Sequence, residues 1–467
     1  MNMDVIATDL AGIFSRQKEA WQAEPNRQYR HRRQDLLALE ALLKDNATAL
    51  SAAMSEDFGY RSPHESLLAD IIVARVHIRH TRKHLRSWMK PRRHTVGWQF
   101  WPASAWTIRQ PLGVVGVMAP WNYPVNLVVE PLAAALAAGN RAMLKPSEMT
   151  PATSRLLSEL ISGIFADNHV TVIQGGIETS KAFSSLPFDH LLFTGSTAVG
   201  RAVMSAAAAN LTPVTLELGG KSPAIISADT PVADAAMRLG KGKWFNAGQT
   251  CTAPDYVLIE GNRAEKLACE MAEQIKNSYP PGSTDLSHIV NDAQFSRLEA
   301  LLRDAGEKGA TVLQPLGKPD PNSRLFTPAL LTGTSRSMRV MQEEIFGPIL
   351  PIVEVSDIDA AIEFVNENPR PLALYYFGSS GSDSLRLLQR TVSGGVCLND
   401  CVAQFATPGL PFGGVGESGM GHYHSKQGFD TFTKLKPVLN QARWTGLDLI
   451  RPPYGKLVDK MLKFLLR

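Results

Sequence analysis

From Pro111 onward the chain alternates short apolar runs with alanine-rich helical stretches, and this alternation restricts the fold more than any other feature. GVVGVMAP is followed by PLAAALAAGN, RAMLKPS, SRLLSELISGIF, VTVIQGG and HLLFTGS. Strands separated by helical stretches of about 10 to 15 residues imply βαβ units, and therefore a parallel sheet with helices on both faces. In such doubly wound sheets the ligand, commonly a nucleotide, sits beyond the carboxyl ends of the strands. A second alternation starts near Ser222, with SPAIIS, a helix through Lys241, YVLIE and a helix through Lys276, and continues past Ala361. At about 150 residues per domain, a chain of 467 residues is too long for one core, so two α/β units are expected.

The flanks read differently. Over residues 30 to 58, Leu36, Leu37, Leu39, Leu42, Leu43, Ala47 and Leu50 recur at helical spacing, which predicts one amphipathic helix. Residues 75 to 94, RVHIRHTRKHLRSWMKPRRH, read as a helix with a basic outer face; no nucleic-acid recognition motif accompanies the run. WQFWPASAWTI at 98 to 108 is rich in aromatic and β-favouring residues, and Pro102 within it argues for an edge strand or hairpin, with its aromatics in a subunit contact. The tail YGKLVDKMLKFLLR sets Leu457, Met461, Phe464 and Leu465 on one helical face and Lys456, Lys460, Lys463 and Arg467 elsewhere. That pattern suits a terminal helix docked on its own protein, with peripheral contact to a membrane surface as the alternative.

Composition excludes several classes. With 44% hydrophobic and 20% charged residues the chain is ordinary globular material, and a net charge of +4 selects no partner. Four cysteines (Cys251, Cys269, Cys397, Cys401) are too few for a disulfide framework and point to a reducing compartment. Cys397 and Cys401 in CLNDC lack further ligands in sequence, so they read as small apolar side chains and no metal is expected. The segment MNMDVIATDLAGIF carries Asp4 and Asp9 without a basic leader, and no window reaches the roughly 18 apolar residues of a membrane span. A cytoplasmic protein without stable membrane insertion is expected.

Phosphate-loop searches fail informatively. GSTAVG at 195 to 200 has Arg201 and Ala202 where a Walker loop needs Lys and Ser/Thr, and GGKS at 219 to 222 has Thr215 where the first glycine belongs. ESGMG is not a serine-hydrolase elbow. GSTAVG can still open a helix after the strand HLLFT and turn backbone N–H groups toward an anion. Cys251 sits in NAGQTCTAPD, where Gly248, Thr250 and Thr252 allow a tight turn that presents its sulfur. Alone, such a cysteine reads as inert core or as a nucleophile, depending on surroundings.

Those surroundings form one ordered set: PWNYP at 120 to 124, LKPSE at 144 to 148, FTGS at 193 to 196, ELGGKSP at 217 to 223, GQTC at 248 to 251, EEIFGP at 343 to 348 and PFGGVGESGMG at 411 to 421. Together they resemble the aldehyde dehydrogenase superfamily over nearly the whole chain. CTAPDYV, RPLALYYF and PFGGVGESGMGHYHSKQGFDTF resemble its class 3 branch, which includes bacterial coniferyl aldehyde dehydrogenases. The resemblance implies an α/β fold with a Rossmann-type NAD(P)-binding domain (1–95 and 111–217) and a catalytic domain (218–410). It also implies bridging strands for oligomerisation (96–110 and 428–445) and a tail helix (446–467). It implies Cys251 as nucleophile, Asn122 with the Cys251 backbone N–H as oxyanion donors, and Glu217 as general base for thioester hydrolysis. Lys145 and Glu148 would hold the adenosine ribose, Glu344 and Phe346 the nicotinamide ribose, and Gly195 and Ser196 would lie by the nicotinamide and pyrophosphate. The glycines of 411 to 421 would form a turn-rich loop near the substrate entrance.

Rival readings stay open at this point: an acylating enzyme that passes the thioester to coenzyme A, a cofactor-independent cysteine esterase, and a non-enzymatic protein that keeps only the fold. Glu217 favours water as acceptor, and LKPSE and EEIFGP favour a cofactor. The cofactor expected is NAD, with NADP as an alternative, because a carboxylate at Glu148 repels a 2′-phosphate. Trp121, Tyr123, Phe405 and Phe412 are expected to line an apolar channel, which suits an aromatic aldehyde, coniferyl aldehyde first, or a medium-chain aliphatic one. The partner implied is a second copy of the chain in a homodimer.

Overall fold

Two sheets carry the alternation read from the sequence. In the computed structural model, which describes residues 9–379, 381–445, 448, 450 and 452–466, the first sheet has six strands. Their order is Gly419–Met420, Val214–Leu218, His190–Gly195, Val114–Met118, Arg141–Lys145 and Val170–Val172, all parallel except the first. The second has seven: Thr311–Leu313, Ala329–Thr332, Ile349–Val355, Tyr256–Glu260, Pro223–Ile226, Ala373–Phe377 and Gly395–Leu398, with only Thr311–Leu313 antiparallel. The strands Val114–Met118, Arg141–Lys145, Pro223–Ile226 and Ala373–Phe377 are buried throughout. That is why they read as unbroken apolar runs rather than as alternating ones. Helices such as Asn126–Ala138 and Val232–Trp244 cover the faces and bury their apolar sides against the two sheets.

In the first sheet the chain winds outward from Val114–Met118 in one direction and then, from His190–Gly195, in the other. The crevice between these two strands is the topological switch point, where doubly wound sheets bind ligands. PWNYP and the end of FTGS follow these two strands directly, so sequence order alone brings both motifs to the crevice.

Several expectations are corrected. Residues 30 to 58 form two helices, Tyr29–Asp45 and Ala47–Phe58, because Asn46 leaves helical geometry and both its backbone N–H and side-chain amide bond to the Leu42 carbonyl. A further helix, Leu10–Ala23, packs before them. The segment 98 to 108 is not an edge hairpin: a short turn at Trp98–Phe100 absorbs Pro102. Ser104–Pro111 then becomes the middle strand of a three-stranded sheet between Arg92–His94 and Thr433–Asn440. The basic run folds as the helix Val73–Trp88, with His77, Ile78, Thr81 and Leu85 facing inward. In the tail, Lys456–Leu465 is helical but does not dock its apolar side: only Val458 is buried, while Leu457 is 67% and Phe464 73% exposed. Cys401 is buried and Cys397 half-buried, as small apolar residues would be. Asp4 and Arg467, used in the reading of the two termini, lie outside the described residues.

Candidate active site

Cys251 follows an unusual backbone. After the helix Val232–Trp244, Asn246 (φ 51°, ψ 34°), Ala247 (φ 51°, ψ 33°) and Gly248 (φ 72°) take left-handed conformations in succession. Each non-glycine residue there costs about 1–3 kcal/mol, so the surroundings must impose the shape. They do so with buried amides. Asn246 Nδ2 donates to the carbonyls of Asn122 (3.0 Å) and Gln249 (3.2 Å). Gln249 Nε2 donates to the Asn246 and His288 carbonyls, and its Oε1 accepts the Val290 N–H. At Gly248 a Cβ would meet the Gly347 carbonyl oxygen at 2.4 Å, so only glycine lets the cysteine turn approach EEIFGP this closely.

Asn122 enters the same network. Its Nδ2 donates to the Gln249 carbonyl at 3.0 Å, which aims the amide at the Cys251 turn. The loop that carries it is clamped from behind by a fully buried pair, Arg61 and Asp70, at 2.8 Å. Asp70 Oδ1 accepts the Val125 and Asn126 N–H groups at the start of the helix Asn126–Ala138, and the Arg61 guanidinium lies over the Tyr123 ring. Tyr123 in turn shares a 2.5 Å hydrogen bond with Thr250, the residue before the cysteine. Neither Arg61 nor Asp70 was singled out from the sequence, since a charge between apolar residues looks like a solvated face until its partner is known.

Glu217 is not the exposed turn charge that neighbouring glycines suggest. It lies inside the strand Val214–Leu218, in register between Thr194 and Gly419, and is 2% exposed. No side chain among the described residues bonds to its carboxylate, and the Gly414 backbone N–H only partly offsets its burial. Burial therefore pushes its carboxyl well above the usual range, since desolvation penalises the charged form. The Cys251 thiol is pushed up to about 12 by burial first and then by the Glu344 and Glu217 carboxylates, against the backbone N–H groups of Cys251 and Thr252. Glu344 is raised to about 8, by burial and then by Asp255. It packs on the backbone of ELGGK, where a Cβ at Gly219 would meet Glu344 Oε2 at 2.0 Å.

Two cavities meet at Cys251. One, of about 280 Å³, is lined by Asn122, Gly195, Ser196, Glu217, Glu344 and Phe346, and so gathers six of the residues singled out by sequence. Trp121, Thr194, Gln294 and Arg297 are also among its walls. Arg297 was missed; it donates to the Glu344 (3.2 Å) and Ile345 (2.5 Å) carbonyls and holds EEIFGP in place. Ser196 caps the helix Thr197–Ala208 through its Oγ, as the strand-to-helix reading of GSTAVG requires. Lys145 and Glu148 lie outside this cavity, at the end of the strand Arg141–Lys145, where Lys145 Nζ bonds to the Pro146 carbonyl (2.8 Å) and Glu148 (3.3 Å). Burial lowers the Lys145 ammonium pKa. A helix start, a buried lysine and carboxylates at the switch point fit a dinucleotide laid across the strand ends.

The second cavity, of about 320 Å³, is apolar. Leu68, Ile72, Val73, Leu127, Phe245 and Phe405 line it, with Tyr123, Cys401 and Cys251. Of the four aromatics expected on an apolar channel, Tyr123 and Phe405 line it. Trp121 faces the polar cavity instead, and Phe412 lines neither, being packed edge-on behind Phe405 at 5.0 Å. None of the glycines of 411 to 421 lines this cavity; the loop starts at Phe412, against Phe405, and folds back as Gly419–Met420 along the strand of Glu217. Among the described residues no histidine lines either cavity, so the cysteine–histidine pair a cofactor-independent esterase would use is not seen there.

One cluster lies elsewhere and was not brought together by sequence. His77, Glu130 and His424 are buried with ligand-type atoms within 4.8 Å of one another. They come from the helices Val73–Trp88 and Asn126–Ala138 and from the turn before Ser425–Thr431.

Comparisons with known proteins agree with this geometry. The aldehyde dehydrogenase family matches residues 7–438. A probable coniferyl aldehyde dehydrogenase of Pseudomonas aeruginosa is 50% identical, over 97% of this chain and 95% of the relative. Among solved structures, the substrate-bound state of Staphylococcus aureus AldH superposes with a TM-score of 0.93 at 36% identity, covering 98% of this chain and 99% of that one. The Mycobacterium tuberculosis aldehyde dehydrogenase complexed with NAD+ has a TM-score of 0.84 at 27% identity, over 94% and 91% of the two chains. With the family matched over residues 7–438 and the fold shared, the chain belongs to the aldehyde dehydrogenase family of nicotinamide-dependent oxidoreductases.

Proposed function

We propose that Cys251 attacks the aldehyde carbon and carries the acyl group as a thioester, which water activated by Glu217 hydrolyses to the carboxylic acid. The observation that supports this is the placement of Cys251 at the junction of a polar and an apolar cavity, with Glu217 and Asn122 on the polar side. The thiol is the resting form at neutral pH, so attack requires a base. Glu217, buried on that cavity, is the carboxylate suited to take the proton, which it must release to solvent before it activates the hydrolytic water. The tetrahedral oxyanion would receive the Asn122 amide N–H not used by Gln249 and the Cys251 backbone N–H. When bound, the nicotinamide cofactor supplies the hydride acceptor that turns the adduct into a thioester. Glu344 and Phe346 would hold its nicotinamide ribose, Gly195 and Ser196 its pyrophosphate side, and Lys145 and Glu148 its adenosine ribose. The carboxylate of Glu148 favours NAD over NADP.

The substrate we assign is a flat aromatic aldehyde, coniferyl aldehyde first. The apolar walls of the second cavity and the name of the Pseudomonas aeruginosa relative support it. We also assign a homodimer joined through the three-stranded sheet, where Leu435 and Leu439 stand exposed, and a cytoplasmic location. None of the described helices is long and apolar enough to cross a membrane.

The test is NADH formation from coniferyl aldehyde, benzaldehyde and hexanal, with NAD or NADP, with and without coenzyme A. Turnover independent of coenzyme A is expected, falling by about 10⁴-fold or more in Cys251→Ala, as for other covalent nucleophiles. Turnover only with coenzyme A would reassign the acyl acceptor, and undiminished turnover in the variant would remove Cys251 from the mechanism.

A further inference from the structure

The outer wall of the apolar cavity is a single loop, running from Asp400 to Ala406, that has neither strand nor helix geometry. Asn399 just before it and Val402 within it have φ of 58° and 64°, and bonds inside the loop, from the Ala403 N–H to the Cys401 carbonyl (2.8 Å) and the Phe405 N–H to the Val402 carbonyl (3.0 Å), are joined by contacts at both ends. At one end the Asn399 side chain exchanges two 3.0 Å hydrogen bonds with the Gly378 backbone, and Gln404 donates to the Tyr375 hydroxyl. At the other end the Gly409 N–H donates to Ser425 Oγ at 3.1 Å. Between these pins lie Phe405 and Ala406, and the buried cluster packs against them.

Nδ1 of His77 donates to Oε1 of Glu130, and Nε2 of His424 lies 3.1 Å from the same oxygen. The two imidazoles meet edge to face at 4.6 Å. The Ala406 carbonyl lies against His77. Phe405 meets the His424 ring edge-on at 4.9 Å, and Phe412 stacks on that ring at 5.1 Å. His424 is itself in a strained conformation, φ 88°, which its partners must enforce. The three residues thus tie two helices to the middle of the cavity wall. We propose that His77, Glu130 and His424 form a buried latch that holds Phe405 and Ala406 in place and thereby sets the enzyme's preference for aldehydes that fill the apolar cavity. They are positioning residues, since none of the three lines either cavity. The proposal rests on the reading of this cavity as the aldehyde site.

Three variants test it: Glu130→Leu, which removes the shared acceptor, Glu130→Gln, which keeps one, and His424→Asn, a residue that tolerates positive φ. Two measurements are made on the full chain. The first is amide hydrogen exchange of residues 400–410, which reports local opening without reference to activity. The second is KM and kcat for coniferyl aldehyde against propanal. Glu130→Leu and His424→Asn should speed exchange of the loop about tenfold or more and raise KM for coniferyl aldehyde about tenfold, with KM and kcat for propanal within about twofold. Glu130→Gln should restore most of both. Unchanged exchange overturns the latch, as does an equal loss for both aldehydes. One equivalent of zinc or iron in the purified wild-type protein, lost in His424→Asn, would replace it with a metal site. If the wild type oxidises no aldehyde, the cavity assignment fails while the exchange data still judge whether the cluster holds the loop.

Discussion

Cys251 is shared by two cavities of similar size and opposite construction. The one of about 280 Å³ takes its chemistry from Asn122 and Glu217, in motifs at or just beyond the end of a strand, and from Glu344, in a motif that leads into the strand Ile349–Val355. The one of about 320 Å³ is assembled from Leu68, Ile72, Leu127, Phe245 and Phe405, apolar side chains contributed by three helical segments and a loop. On the polar side, position is enforced by backbone geometry: left-handed residues, glycines where a Cβ would collide, buried amides. On the apolar side it is enforced by packing, which many sequences satisfy equally well. The difference separates what the enzyme does to any aldehyde from which aldehyde it accepts, and variants on the two sides should behave differently.

The largest effect after removal of the nucleophile belongs to Glu217. Glu217→Gln should lose the rapid NADH-forming phase along with steady turnover, which should fall by about 10² to 10⁴-fold, for every aldehyde alike. In the wild type, turnover should rise with pH through the elevated pKa of Glu217, because the unprotonated carboxylate is the base; the variant should lose that limb. Stability runs the other way. A carboxyl whose folded pKa is raised contributes stability below its unfolded pKa and loses it as pH climbs toward the folded value. Thermal unfolding should therefore show Glu217→Gln gaining about 1–3 kcal/mol relative to wild type near pH 8 and little near pH 4. A variant with no gain at high pH would mean the carboxylate is solvated in the working enzyme.

Asn122→Ala comes next, with an expected loss of about 2.7–4 kcal/mol of barrier stabilisation, again independent of the aldehyde. Because Asn122 also braces Gln249, thermal unfolding must be compared alongside; a fall in Tm without a fall in kcat would reduce the residue to scaffold. On the apolar side Ile72→Trp narrows the second cavity. It should lower kcat/KM for coniferyl aldehyde about 10 to 100-fold while propanal changes little. Equal losses for both would show that the two sides are not separable.

Much of the polar side could be read directly from the chain, and the physical reason is visible in particular residues. PWNYP and FTGS follow adjacent central strands, so a βαβ reading already predicts that Asn122 and Gly195 converge. Gly248 and Gly219 mark close backbone approaches that no other residue permits. Leu68 and Ile72, by contrast, belong to a π-helical segment, Leu67–Ile72, whose periodicity differs from the α pattern used to assign inward faces. Arg297 and Asp70 act through partners about 50 residues away, at Glu344 and Val125, and pairing over such separations leaves no local signal. Pro102 misled because its effect on a strand depends on whether it lies within the ladder or just before it.

The smallest expected effect tests the far end of the polar side, where Glu148 lies outside the cavity that gathers the other motifs. Its carboxylate is 42% exposed and pairs with the buried Lys145 ammonium at 3.3 Å. Placed beside an adenosine ribose, it would accept hydroxyl hydrogen bonds and repel a 2′-phosphate, but at that exposure solvent screens the repulsion to about 1 kcal/mol or less. Glu148→Gln should therefore shift the ratio of kcat/KM for NADP over NAD upward by only about two- to fivefold, with kcat for NAD nearly unchanged, and the shift should shrink as salt is raised. A change of several hundredfold would mean that the loop closes over the cofactor and buries Glu148. No change would place the ribose contact on Lys145 alone, and the cofactor preference would then have to come from the shape of the strand ends.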